Sequence, residues 1–281
     1  VLISHMMEDK IDLNRLCVHT QTTKPWDLHT CIKEYHKAGI PHLSIWRHLL
    51  ENQDLKLVKK ALEDHQLKVT SLVRGGFFPS VSKSVRKEAI QENKKAIDEA
   101  KAIGAPLVVL VCGADPKQSL ETSRSQIQEG IQNLLPYAKE ANVRLAIEPL
   151  HPMYAGDKSA IVTLEQANDM AELIDDPFIG IAIDVYHLWW DNQLQKQIER
   201  CGKHNNIFAF HVCDWLSPTT DMLTDRGLMG EGSIPVREIR KWTEKAGFQG
   251  PIEVEIFSER LWGINQQDYL KQIKQAYIEH T

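Results

Sequence analysis

Glu148, Asp184, His211 and Glu255 are separated by 36, 27 and 44 residues, and the first three are each followed three positions later by a further polar side chain, His151, His187 and Asp214. Three carboxylates and an imidazole brought to one place would repel one another and be costly to desolvate unless they shared a cation. A set of oxygen donors with one nitrogen suits Mn²⁺, Mg²⁺ or Co²⁺, and suits Zn²⁺ less well. Two such carboxylates on opposite sides of a bound molecule could remove and return a proton next to a carbonyl. The cation would polarise that carbonyl. A single charge at the end of a strand would be unremarkable, but four in a row of ligand type form a pattern.

These residues converge only if a scaffold delivers each of them to one rim. The chain alternates short β-rich runs with longer helical patterns. The runs predict eight strands: Arg15–His19, His42–Trp46, Leu67–Val73, Leu107–Val111, Arg144–Glu148, Gly180–Asp184, Ile207–His211 and Ile252–Glu255. Between them, Val85–Ile103, Ser123–Ala141 and Leu164–Ile174 carry apolar residues at helical spacing, the last preceded by Thr163 as N-cap with Gln166 three residues on. Gly104, Gly202 and Gly247 are expected to end helices. Eight strands, each followed by a helix, predict a single-domain α/β fold, the (β/α)8 TIM barrel. A doubly wound open sheet would also alternate. Here, however, His19-Thr20-Gln21-Thr22 follows the first strand where a glycine-rich phosphate turn belongs. In a barrel, chemistry sits at the C-terminal ends of the strands, and strands five to eight end in Glu148, Asp184, His211 and Glu255.

Composition is that of a globular domain: 281 residues, 42% hydrophobic, 25% charged, with a formal net charge of −5. The strongest apolar run, Pro106–Cys112, is far too short for a membrane helix, and the acidic balance argues against a nucleic-acid binder. Five scattered cysteines without a C-x-x-C pair point to a reducing, cytoplasmic setting rather than a disulfide framework or a thiolate site. Ser4-His5-Met6 reads as the remnant of an expression tag, which assigns residues 1–6 to that remnant and residues 7–281 to the catalytic barrel.

The segments I-E-P-L-H (147–151), I-D-V-Y-H (183–187), F-H-V-C-D (210–214), R-G-L-M-G-E-G (226–232) and V-E-I-F (254–257) resemble the xylose-isomerase-like sugar isomerase/epimerase superfamily. The resemblance covers nearly the whole chain from about Ile11. It implies that Glu148, Asp184, His211 and Glu255 hold one divalent metal ion and that Glu148 and Glu255 double as the acid/base pair. His187 and Arg226 would contact substrate oxygens. The implied activity is isomerisation or epimerisation of a small ketose or keto-polyol by carboxylate-mediated proton abstraction through a metal-stabilised enediolate, as part of carbohydrate metabolism. The alternative is a metal-dependent dehydratase, a lyase, acting on an inosose- or dehydroshikimate-like substrate. The same residues permit either. Relatives of this kind often form homodimers or homotetramers, and no nucleic acid or membrane partner is implied.

Two departures narrow the field. Leu150 stands where true xylose isomerases resemble E-P-K-P, which argues against a hydride-shift aldose isomerase. Arg74 and Cys112 stand where abasic-site endonucleases place histidines, which argues against DNA repair.

Six of the seven tryptophans, Trp26, Trp46, Trp189, Trp190, Trp215 and Trp262, fall in or beside loops at the expected catalytic face. Aromatic faces there would pack against the C–H faces of a sugar and shield a proton transfer from water. Trp46, His151 and Asp214 are accordingly expected to touch substrate. Arg74 is expected to bind a substrate carboxylate or phosphate. Phe77-Phe78, after Gly75-Gly76, reads as a lid.

Overall fold

The computed structural model describes residues 11–281, so the expected tag remnant at residues 1–6 lies outside the described residues. Eight parallel strands close into a barrel: β1 (Leu16–His19), β2 (His42–Trp46), β3 (Lys68–Gly76), β4 (Leu107–Val111), β5 (Arg144–Ile147), β6 (Ile179–Asp184), β7 (Ile207–Val212) and β8 (Ile252–Val254). Each strand pairs with its neighbours in sequence, and β8 closes on β1 through Leu16–Ile252, Cys17–Glu253 and Val18–Val254. Eight helices alternate with them: α1 (Leu28–Lys37), α2 (Leu55–Asp64), α3 (Lys83–Ile103), α4 (Leu120–Ala141), α5 (Leu164–Ile174), α6 (Leu194–Lys203), α7 (Val236–Lys245) and α8 (Gln266–His280). No described helix is long and apolar enough to cross a membrane.

The helices begin where a short polar side chain can cap them. Asp27, Asp54, Ser82, Ser119, Thr163 and Asn265 each accept a hydrogen bond from a backbone N–H in the first turn of α1, α2, α3, α4, α5 and α8. Gly104 ends α3 at φ +79°, a conformation that costs glycine nothing. Gly202 does not end a helix, as the sequence suggested. It lies inside α6, where a Cβ would sit 2.3 Å from the carbonyl oxygen of Ala246. The glycine is there so that the helix can approach the end of α7.

Strand alternation divides the side chains between two layers. Outward residues such as Val18, Ile45, Leu110, Ile147, Ile183 and Val254 pack against the helices in the main core. Full burial of each large aliphatic side chain there contributes about 1.5–3 kcal/mol. Inward residues fill the barrel, and the filling is asymmetric. Val73, Leu107, Val109, Ala146, Ala182 and Ala209 make an apolar inner cluster. On the side of β1, β2, β3 and β8 the interior is instead polar, with Cys17, Ser44, Ser71 and Glu253 buried. The inner residues on β5, β6 and β7 in the apolar cluster are the small Ala146, Ala182 and Ala209.

β3 runs three residues past its expected end because its register against β4 shifts between Val73 and Gly75. Val73 packs in the inner cluster, whereas a Cβ on Gly75 would meet Asn93 on α3 and Leu110. Residues two apart therefore face opposite sides, and Arg74 is the inserted residue of a bulge, a device that re-aims a side chain.

Candidate metal centre

The carboxylates of Glu148 and Glu255 stand one residue beyond β5 and β8. Asp184 ends β6, and His211 is the penultimate residue of β7. One donor atom from each of the four lies within 4.8 Å of the others, and all four residues are buried. Three of the four hold unspent hydrogen-bonding capacity: Glu148 Oε1, Asp184 Oδ2 and both ring nitrogens of His211 are buried without a hydrogen-bond partner among the described residues. Unsatisfied buried polar atoms are rare and need an explanation. A divalent cation would satisfy these at once. His19, His211 and Glu255 form a second close grouping, but both ring nitrogens of His19 already face carboxylates.

The charge states agree with that requirement. Burial, together with the neighbouring Glu255 and Glu148, raises the Asp184 carboxyl to about 7, against the pull of Arg226. Burial would likewise raise Glu255, but His19 and Arg226 overcome it and hold this carboxylate well below its ordinary range. Burial would lower His211, but Glu253 and Glu148 outweigh it and hold the ring well above its ordinary value. Without a cation the cluster must keep protons that a metal would displace.

Residues around the cluster fix its orientation. Nε2 of His211 faces Glu253 Oε2 at 3.4 Å, while its Nδ1 lies 3.3 Å from Glu148 Oε1. With the proton on Nε2 directed at Glu253, the Nδ1 lone pair is left for a metal. Glu253 Oε2 also accepts from Ser44 Oγ at 2.8 Å and from His19 Nε2 at 2.7 Å. Nδ1 of His19 lies 3.1 Å from Glu255 Oε1. Burial would lower His19, yet the carboxylates of Glu255 and Glu253 raise it. Neither His19 nor Glu253 was picked out from the sequence. The available signal was period two: Glu253 and Glu255 share the inner face of β8, and His19 ends β1 as the recognised ligands end their strands.

Arg226 donates from Nη1 to Glu255 Oε2 at 3.0 Å and lies 3.5 Å from Asp184 Oδ2. Its guanidinium is held between the rings of Tyr186 and Phe257, 4.1 and 4.6 Å from their centroids. Nδ1 of His187 accepts the backbone N–H of His151 at 3.1 Å. That bond places the ring proton on Nε2, which faces Asp184 Oδ2 at 3.7 Å. Burial and Arg226 push His187 well below its ordinary value, so it stands as a neutral donor at the cluster.

The remaining expected contacts divide. His151 stacks on Trp215 with ring centroids 5.2 Å apart, and only half of it is buried. Trp46 donates from Nε1 toward His19 Nδ1 at 3.2 Å and packs edge-on against Phe257. Arg74 reaches the same wall, over the rings of Phe77 and Trp46. Asp214 is a correction. It is fully buried, and its carboxylate accepts the backbone N–H groups of Trp215, Gly230 and Ile234. It builds the loop that carries Arg226, and three backbone partners rather than a substrate account for its position. Phe78 is a second correction: it is buried in the main core against Gly130, so Phe77-Phe78 is not a lid.

The tryptophans also separate. Trp189, Trp190 and Trp215 form a wall with His151 and Tyr186, and Trp190 donates to the His187 carbonyl at 2.7 Å. Trp262 instead donates to the carbonyls of Gln21 and Thr22 under Lys24, and Trp26 packs against the main core.

A family model described as xylose isomerase-like TIM barrel matches residues 33–278. The crystal structure of protein SMc04130 from Sinorhizobium meliloti 1021 superposes with a TM-score of 0.92 at 41% identity, covering 95% of this chain and 98% of that one. The structure of the IolI protein with a zinc atom bound superposes with a TM-score of 0.83 at 20% identity, over 94% of this chain and 97% of that one. Inosose isomerase of Halalkalibacterium halodurans is 24% identical over 278 residues, 94% of this chain and 95% of its own length.

Proposed function

The chain belongs to the xylose isomerase-like TIM barrel family, and on that premise we propose that it is a divalent-metal-dependent isomerase or epimerase of a small ketose or keto-polyol. The observation that carries the reading is the set of four buried side chains with one donor atom each within 4.8 Å of the others, three of them with atoms that have no hydrogen-bond partner among the described residues. Glu148, Asp184, His211 and Glu255 would hold the cation, with Mn²⁺, Mg²⁺ or Co²⁺ suiting three carboxylates and one imidazole. The likeness to an inosose isomerase supports the substrate class. The zinc atom in the IolI structure supports a metal in a barrel of this shape. Five buried, unpaired cysteines suit a reducing cytoplasm, and the reaction class places the protein in carbohydrate metabolism.

When bound, the cation supplies Lewis-acid polarisation of a carbonyl and its neighbouring hydroxyl. The chain's own residues do the rest. Glu255, held ionised by His19 and Arg226, is ready to accept a proton from the carbon next to the carbonyl. Glu148 reaches the site from β5, three strands away around the ring, and is placed to serve the opposite face of the substrate. Nε2–H of His187 donates to a substrate oxygen. Arg226 orients Glu255 and stabilises negative charge developing beside it. The wall of Trp189, Trp190 and Trp215 excludes water from the transfer.

A panel of ketoses and inososes incubated with Mn²⁺-loaded protein in D₂O tests the reading by NMR. Incorporation of deuterium at the carbon next to the carbonyl is expected for at least one member, with the isomer or epimer as product. Formation of a conjugated, ultraviolet-absorbing product instead would support the dehydratase alternative.

A further inference from the structure

Arg226 is neutralised within the site by Glu255 and Asp184, but Arg74, from β3 on the opposite side of the ring, is not. Among the described residues Arg74 makes no ion pair and no hydrogen bond, and its contacts are the faces of Phe77, at 4.6 Å from the guanidinium carbon, and Trp46, at 5.9 Å. A half-buried guanidinium flanked by two aromatic rings has lost part of its hydration and gained no carboxylate in return. The bulge at Val73–Gly75 brings it there by inserting an extra residue into the strand. Trp46 ties the position to the site, since its indole N–H reaches His19, which faces Glu255. Burial lowers the guanidinium somewhat while Glu148 and Glu255 act on it in the opposite sense, so both carboxylates are within electrostatic reach.

We infer that Arg74 selects an anionic substrate: a keto sugar acid whose reacting carbons sit over Glu148 and Glu255 and whose carboxylate, at the far end of the chain, pairs with this guanidinium. A guanidinium bounded by two aromatic rings can take one bidentate carboxylate through its fork, and carries the single charge that matches it. The donors of the metal cluster lie on β5, β6, β7 and β8, so a molecule anchored there extends toward β3. This deepens the proposed isomerase reading and rests on it for the position of the reacting end.

The test uses two probes that differ only at C6, D-fructose with a hydroxymethyl group and D-fructuronate with a carboxylate. Mn²⁺-loaded wild type, Arg74→Met and Arg74→Lys are compared by solvent deuterium exchange and by quenching of tryptophan fluorescence on binding. The wild type is expected to favour fructuronate by about tenfold or more in both kcat/KM and Kd, the usual size of a charge-assisted pair. Arg74→Met is expected to erase that preference, and Arg74→Lys to keep part of it. Equal handling of the two probes by the wild type, or an equal loss for both in Arg74→Met, would overturn the inference. If neither probe exchanges deuterium but fructuronate still binds more tightly through Arg74, the anion site stands and the reaction reading falls. If neither exchanges and both bind alike, both fall.

Discussion

Glu148→Gln is expected to lower turnover by about 10³-fold or more at saturating Mn²⁺, while the metal-free protein melts no lower than wild type. The substitution keeps volume and shape but removes the charge and the proton-accepting capacity. Oε1 of Glu148 is buried without a hydrogen-bond partner, and the one contact it loses, the 3.3 Å approach to His211 Nδ1, is offset by relief of the repulsion among the carboxylates. One negative charge leaves a buried cluster in which Asp184 is already raised to about 7 by burial and by the neighbouring carboxylates. Glu255→Gln is expected to cost the same in turnover and, in addition, about 1–3 kcal/mol of stability. Its Oε2 accepts from Arg226 Nη1 and its Oε1 faces His19 Nδ1, and a neutral amide weakens both contacts while it must keep its NH₂ away from the guanidinium. Deuterium exchange paired with thermal denaturation separates the two losses. Near-normal turnover in either variant would remove the paired-carboxylate mechanism.

Glu253→Gln is expected to weaken Mn²⁺ binding by about ten- to a hundredfold without touching a ligand. Glu253 is completely buried and joins four groups: His19, His211, Ser44 and Ser71. Its charge draws the His211 proton to Nε2 and raises His19 beside Glu255. A neutral amide does neither well: its carbonyl oxygen can take the place of Oε2, but without the charge. Calorimetric titration of the metal-free variant gives the affinity, and ¹⁵N shifts of His211 give the tautomer. The account expects a mixture of His211 tautomers in the variant and a single one in the wild type. An unchanged Kd with an unchanged tautomer would reduce Glu253 to a packing residue.

Much of this molecule was legible in its sequence because barrel strands carry strong local signals. His42–Trp46 and Leu107–Val111 are strands with those bounds, and α5 starts at the Thr163 cap. The four cluster residues were found because charge at a strand end contradicts the apolar filling around it. What was missed lies one step further in. Glu253 and His19 are partners of ligands, and sequence spacing identifies ligands more readily than the groups that orient them. Asp214 was misjudged because its spacing from His211 matches that of His151 and His187 from their ligands. Only the fold brings the three backbone N–H groups that occupy its carboxylate. The β3 bulge was invisible for a related reason. Gly75-Gly76 read as the lead-in to a lid, but the shift that re-aims Arg74 depends on packing against Asn93 and Val111.

The central claim is that one divalent cation is shared by four side chains at the mouth of the barrel. Crystals grown or soaked with Mn²⁺ and measured at its absorption edge test it directly. The account predicts one strong anomalous peak bonded to Glu148, Asp184, His211 Nδ1 and Glu255. Full Mn²⁺ occupancy at some other position, or no peak at these four residues under saturating metal, would contradict it.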